Sequence, residues 1–128
     1  MPARAGRRTK SQVTRHRIEP RIKLWLEQDG LVVLGDFRAQ LLRHVAETGS
    51  LAEAAKRVGL SYRRAWGKIR EIENNLGVEL VKSETGGYGG GGGSTLTAEG
   101  ERLLALYNRF RRRMEIDLTK EFRKVFDG

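Results

Sequence analysis

The tightest constraint in this sequence is a series of helix start and stop signals between Thr48 and Gly77. Thr48-Gly49 ends one helix, and Ser50-Leu51-Ala52-Glu53 has the form of a capping box, in which Ser50 and Glu53 satisfy each other's free backbone N–H groups. The helix so opened is short, from Leu51 to Val58, because Gly59 supplies a left-handed closing residue. Ser61 caps the next helix, which runs to about Leu76 and stops at Gly77. Two helices joined by so short a turn cannot be collinear and must cross. Ala54-Ala55 lets them approach closely, while Val58, Leu60, Ala65 and Ile69 fill the angle and Ile72 and Leu76 continue the inward stripe.

The flanks add a small amount of β-structure. From Arg21 the chain alternates, with Ile22, Leu24 and Leu26 on one side and Lys23, Trp25 and Glu27 on the other. Asp29-Gly30 then separates this run from Leu31-Val32-Val33-Leu34, a hairpin signal because the tight turn needs positive φ. Trp25 is expected to cover a neighbouring element. Asp36 is expected to cap a first helix whose apolar positions are Phe37, Leu41, Leu42 and Val45. After Gly77, Val78–Glu84 reads as a strand and Ser94-Thr95-Leu96 as its return. Between them, seven of the eight residues from 86 to 93 are glycine. Thr97 caps a last helix with Glu99 and Glu101 in its first turn, where they suit the helix dipole. That helix is read as continuing to Phe126. The fold class is therefore mainly α with small β (α+β): a winged helix-turn-helix preceded by a β-hairpin and followed by a long helix. Three regions are expected: a disordered basic arm over 1–20, the winged domain over 21–96 with its wing at 79–96, and the long helix over 97–126.

Composition narrows the chemistry. The 128 residues carry a net charge of +9, of which +5 falls within residues 1–20 and +4 in the remainder. Such an excess favours a polyanionic partner. The absence of cysteine excludes disulfides, thiolate metal sites and cysteine nucleophiles. The two histidines, His16 and His44, stand too far apart for a paired zinc site. No apolar run reaches the roughly 18–20 residues of a membrane span, and no apolar stretch follows the basic N-terminus as in a secretory signal, so a cytoplasmic protein with no membrane partner is expected. No paired-carboxylate or nucleophile–base arrangement suggests an enzyme. Gly87-Tyr88-Gly89-Gly90-Gly91-Gly92 satisfies the G-x-G-x-x-G pattern literally, but no βαβ unit surrounds it, so it is not read as a dinucleotide fingerprint.

The paired helices point to double-stranded DNA. In a helix-turn-helix the second helix enters the major groove, and its outward polar residues here are Ser61, Tyr62, Arg63, Arg64, Gly67 and Lys68. Arg is the commonest reader of guanine, Lys68 and Arg70 are better placed for phosphates, and Lys82 is a further DNA-binding candidate. The glycine loop is read as a wing laid along the sugar-phosphate backbone, with Gly87 and Gly89 allowing close approach and Tyr88 entering the minor groove or stacking. Trp66, one position off the inward stripe, is expected to straddle core and surface. The last helix would span about 45 Å at about 1.5 Å per residue. Along it Leu103, Tyr107, Phe110, Met114, Leu118, Phe122 and Val125 step by 4, 3, 4, 4, 4 and 3. This stripe, from Leu103 to Phe122, is expected to pair with a second copy, and a two-fold dimer matches a two-fold symmetric operator. The expected function is sequence-specific transcriptional regulation. The alternatives are a winged-helix module that binds an acidic protein partner, or an architectural DNA-binding protein without base readout.

Gly49-Ser50-Leu51, Ala54-Ala55, Gly59-Leu60-Ser61-Tyr62, Ala65-Trp66, Ile69, the Thr85-Gly86-Gly87-Tyr88-Gly89-Gly90-Gly91-Gly92 tract and Leu96-Thr97…Gly100 together resemble the DNA-binding domain of the ModE molybdenum-dependent transcriptional regulators. The likeness extends over residues 35–126. More distantly, the layout is similar to the LysR-type winged helix with its dimerising long helix. The resemblance implies DNA binding, homodimerisation and a link to molybdenum or tungsten metabolism. ModE regulators sense molybdate through C-terminal modules, and no such module is expected before Gly128. Molybdate or tungstate is therefore implied as the effector by resemblance, with no cofactor expected in this chain.

Overall fold

A computed structural model of the chain describes residues 18–84 and 93–127. The described elements run β1 (Trp25–Gln28), β2 (Leu31–Gly35), α1 (Asp36–Thr48), α2 (Leu51–Arg57), α3 (Tyr62–Leu76), β3 (Val81–Glu84), β4 (Gly93–Leu96) and α4 (Ala98–Phe126). The chain divides into two compact units, Lys23–Phe110 and a second one made of Met1–Ile22 with Arg111–Gly128. Most of the predicted basic arm, residues 1–17, lies outside the described residues.

In the unit Lys23–Phe110, β1 and β2 form an antiparallel hairpin whose turn residues, Asp29 and Gly30, both have positive φ (53° and 80°). The period-2 pattern survives, with Leu24 and Leu26 half-buried between exposed neighbours, although the pairing begins only at Trp25 and is interrupted by an irregularity between Leu26 and Glu27. Trp25 does not cover a neighbouring element: it is 54% exposed, and its indole N–H donates to Glu27 Oε2 at 2.7 Å. Two expectations for α1 also change. The N-cap is Gly35, with no side-chain cap, and Asp36 is the first helical residue. Its carboxylate is held within the fold, accepting from Leu24 N at 3.4 Å and from the Tyr107 hydroxyl. Phe37 is exposed, and Ala39 joins Leu41, Leu42 and Val45 on the buried face.

The α2–α3 angle forms as the stop signals require. Ser50 accepts from Glu53 N (3.0 Å), Ser61 accepts from Arg64 N (3.2 Å), and Gly59 and Gly77 take left-handed φ of 76° and 74°. The capping box is only half made, because the donor left free on Ser50 N is taken by Thr48 Oγ1 at 3.2 Å rather than by Glu53. Thr48 is nearer, and Glu53 turns outward to Lys56 at 3.7 Å. Ala54, Ala55, Ala65, Ile69 and Ile72 are each at most 1% exposed, so the crossing is a closed apolar joint.

The wing strands β3 and β4 pair antiparallel, with Val81 opposite Leu96 and Glu84 opposite Gly93. β3 is shorter than predicted: Val78 is exposed, and ladder pairing starts at Val81. A carboxylate fastens this hairpin to α3, since Glu73 Oε2 accepts from both Leu80 N (2.8 Å) and Val81 N (3.1 Å). On the other side, Ser94 N donates to Gly49 O at 2.9 Å, tying β4 to the end of α1. Thr97 caps α4 as expected, with Oγ1 accepting from Gly100 N at 3.0 Å. The first turns of α4 belong to this core: Leu104 and Tyr107 are buried. In the second unit Arg111 donates to Ile22 O at 3.3 Å, and Phe122 stacks on Phe126 with centroids 4.4 Å apart.

Candidate nucleic-acid interface

The inward stripe of α3 determines which side chains it offers outward. With Ala65, Ile69 and Ile72 against α1, α2 and the hairpin, the residues rotated away from them are open to solvent. Ser61, Tyr62, Arg63, Arg64, Gly67 and Arg70 are exposed and Lys68 half-buried, so the structure brings the predicted α3 residues together on one outer surface. Lys82 is exposed on β3. Gly87, Tyr88 and Gly89 lie outside the described residues.

The outer surface is organised in two ways that residue type alone does not reveal. Along one edge Tyr62, Trp66 and Arg70 follow at one-turn spacing. Tyr62 meets Trp66 edge to face (6.5 Å, 85°), and the Arg70 guanidinium lies 5.1 Å from the Trp66 ring. Trp66 is half-buried, as its offset from the stripe predicts, and its ring receives the Arg70 guanidinium in a cation–π contact. Along the other edge the Lys68 ammonium sits 5.8 Å from the ring centroid of Phe37, which stands on the surface of α1. Beside it Arg38 of α1 pairs with Glu71 of α3. Arg64, Gly67, Lys68 and Glu71 together line a shallow open depression on the outer side of α3. Arg63 and Arg64 make no ion pair among the described residues, which leaves their donors available to a polyanion.

Sequence reasoning passed over Glu71, Arg38 and Glu73. Glu71 lies at i+3 from Lys68 and i+7 from Arg64, a spacing that could have placed it on the same face. The Arg38 and Glu73 contacts are tertiary and left no local signal.

The apolar positions predicted for dimerisation divide. Tyr107 is 2% exposed, and its hydroxyl lies 3.0 Å from Leu24 O and against Asp36, so it is occupied within its own domain core. Leu103 is half-buried beside Leu76, Val78 and Leu80. Phe110 is 42% exposed, and in the second unit Met114, Leu118 and Phe122 are partly exposed. No helix is long and apolar enough to cross a membrane among the described residues, nor do those residues hold a group of three or more His, Cys, Asp or Glu placed for a metal ion.

A capped short helix, a left-handed glycine turn, a longer helix with a cationic outer face and a following β-hairpin define a winged helix-turn-helix. The profile of the bacterial regulatory helix-turn-helix proteins of the lysR family matches residues 38–101, and the chain belongs to that family. It is 45% identical over 71 residues to the DNA-binding transcriptional dual regulator ModE of Escherichia coli, covering 56% of this chain and 27% of that protein. It is 42% identical over 74 residues to the molybdenum-pterin-binding protein MopB of Rhodobacter capsulatus, covering 58% of this chain and 27% of that protein. The chain thus spans about a quarter of the length of these curated relatives. Among solved structures it is similar to ArgP from Mycobacterium tuberculosis, with a TM-score of 0.51 and 23% identity over 67% of this chain and 30% of that one, a likeness of fold.

Proposed function

We propose that this chain is the DNA-binding part of a sequence-specific transcriptional regulator that acts in the cytoplasm as a homodimer on a two-fold symmetric operator. Its regulated genes serve molybdenum or tungsten metabolism. The observation that carries the reading is the outer face of α3, where Ser61 to Lys68 are presented on a helix whose opposite side is locked into the core. Arg63 and Arg64 are assigned to base edges, and Arg70 and Lys82 to phosphates. The wing glycines Gly87 and Gly89, with Tyr88, are assigned to the adjacent backbone. Leu103, Phe110, Met114, Leu118 and Phe122 are assigned to the contact with the second copy. The link to molybdenum rests on what the ModE and MopB relatives are named for.

The test is selection of bound duplexes from a random pool, followed by gel shifts on the selected site at about 150 mM salt, near the physiological regime. Affinity is expected to exceed that for random DNA and to fall steeply with added salt as counterions are released. Arg63→Ala or Arg64→Ala should each cost about 1–3 kcal/mol at one base position. Binding without preference over random DNA would remove the sequence-specific reading.

A further inference from the structure

Gly67 lies in the middle of α3 and has no reason internal to the fold to be glycine. A Cβ built there meets nothing within 4 Å, and its φ is not in the left-handed region. Glycine inside an exposed helix destabilises it relative to alanine. At about 100° per residue, Gly67 and Asn74, seven positions apart, are the α3 positions turned most directly away from the mean direction of Ala65, Ile69 and Ile72, and Gly67 is the one in the N-terminal half among the arginines. The missing side chain is thus at the centre of the outer face. Arg64, Lys68 and Glu71 border the gap it leaves.

Glu71 is the odd member of that border. A carboxylate on a surface that meets phosphates is repelled by them, and it has one favourable use in a major groove, as an acceptor from an amino group. Arg38 holds it from α1, with the arginine side chain only 20% exposed against 56% for the glutamate, so the carboxylate is fixed in position yet open. Of the two major-groove amino groups, adenine N6 lies between two acceptors that repel a carboxylate, its own N7 and thymine O4, whereas cytosine N4 has an acceptor, guanine O6, on one side and only the C5–H edge on the other.

We propose that Gly67 is the seat at which the edge of a base pair meets the backbone of α3, and that the Glu71 carboxylate beside it selects cytosine there. This rests on the reading of α3 as the recognition helix. Gly67 sets how deeply the helix enters, and Glu71 sets which base is accepted.

Three proteins distinguish the possibilities on a duplex selected by the native chain: native, Gly67→Ala and Glu71→Gln. Gly67→Ala is expected to melt at or above the native temperature while its affinity for the selected duplex falls about tenfold or more. Glu71→Gln is expected to bind random DNA at least as tightly as native, because a negative charge is gone, and to lose its preference for cytosine at one position. Native affinity in Gly67→Ala would overturn the seat. An unchanged base profile in Glu71→Gln would overturn the selection of cytosine. A native chain with no preference over random DNA would remove the underlying reading, an outcome separable from either variant.

Discussion

Gly100 is the point where the last helix touches the base of the wing, and a single added methyl group there tests the packing of the whole domain. A Cβ on Gly100 would lie 2.3 Å from the Leu80 carbonyl oxygen, 3.1 Å from its carbon and 3.3 Å from its Cα. Ordinary carbon–oxygen contact begins near about 3.3 Å, so α4 and Leu80 would have to separate by about 1 Å. Both sides of the joint are backbone and cannot rotate away. Leu80 O also accepts from Thr97 N at 2.8 Å, and Thr97 Oγ1 donates to Glu79 O at 2.6 Å, so the separation strains the two hydrogen bonds that place the helix start. Overpacking costs about 1–3 kcal/mol and a weakened hydrogen bond about 0.5–1.5. The gain in helix propensity from Gly to Ala returns about 1 kcal/mol. Gly100→Ala should therefore be less stable by about 2–3 kcal/mol, with a fall in melting temperature on the order of 10 °C. Urea unfolding followed by helical circular dichroism measures this, with Gly67→Ala as the matched control. The same substitution at Gly67 meets nothing within 4 Å and should stabilise by about 0.5–1 kcal/mol. Equal stability of Gly100→Ala and the native chain would refute the close approach of α4 to Leu80.

Tyr107→Phe keeps the ring and removes the hydroxyl that meets Leu24 O and Asp36, so it should lower unfolding free energy by about 1–3 kcal/mol in the same titration. On the proposed homodimer, Phe110→Asp or Met114→Asp should convert dimers to monomers, because a charge cannot be buried in an apolar helix pairing without a partner. Sedimentation equilibrium reads this directly, and an unchanged dimer would reject the α4 interface.

Local sequence signals are realised in the fold wherever one residue type answers one backbone need. Asp29-Gly30 made the turn, Gly59 and Gly77 took left-handed conformations, and Ser61 and Thr97 capped their helices. The readings that changed are those where a distant group competed for a local one. Asp36 has the side chain of a helix cap, yet its carboxylate is held by Leu24 and by Tyr107, which stands 71 positions away. Glu53 fits the reciprocal half of a capping box, yet Thr48 supplies that bond. Phe37 sits at helical spacing with Leu41, yet it faces outward beneath Lys68. The outer residues of α3 were legible because periodicity alone says which way each one turns. The Arg38–Glu71 pair beside them was not, because it joins residues 33 positions apart.

The sequence by itself determined where helices begin and end, which face of α3 is buried and which is offered outward, and that a glycine-rich tract comes after it. These follow from the 3.6-residue repeat and from the φ restrictions of each residue type, which act within a few positions. Only the tertiary structure decided that Tyr107 belongs to the domain core, that Glu73 fastens the wing to α3, and that Gly100 leaves room for Leu80. Those outcomes depend on which separate segments compete for the same space and the same hydrogen-bond partners. That competition takes place in three dimensions, and no window along the chain contains it.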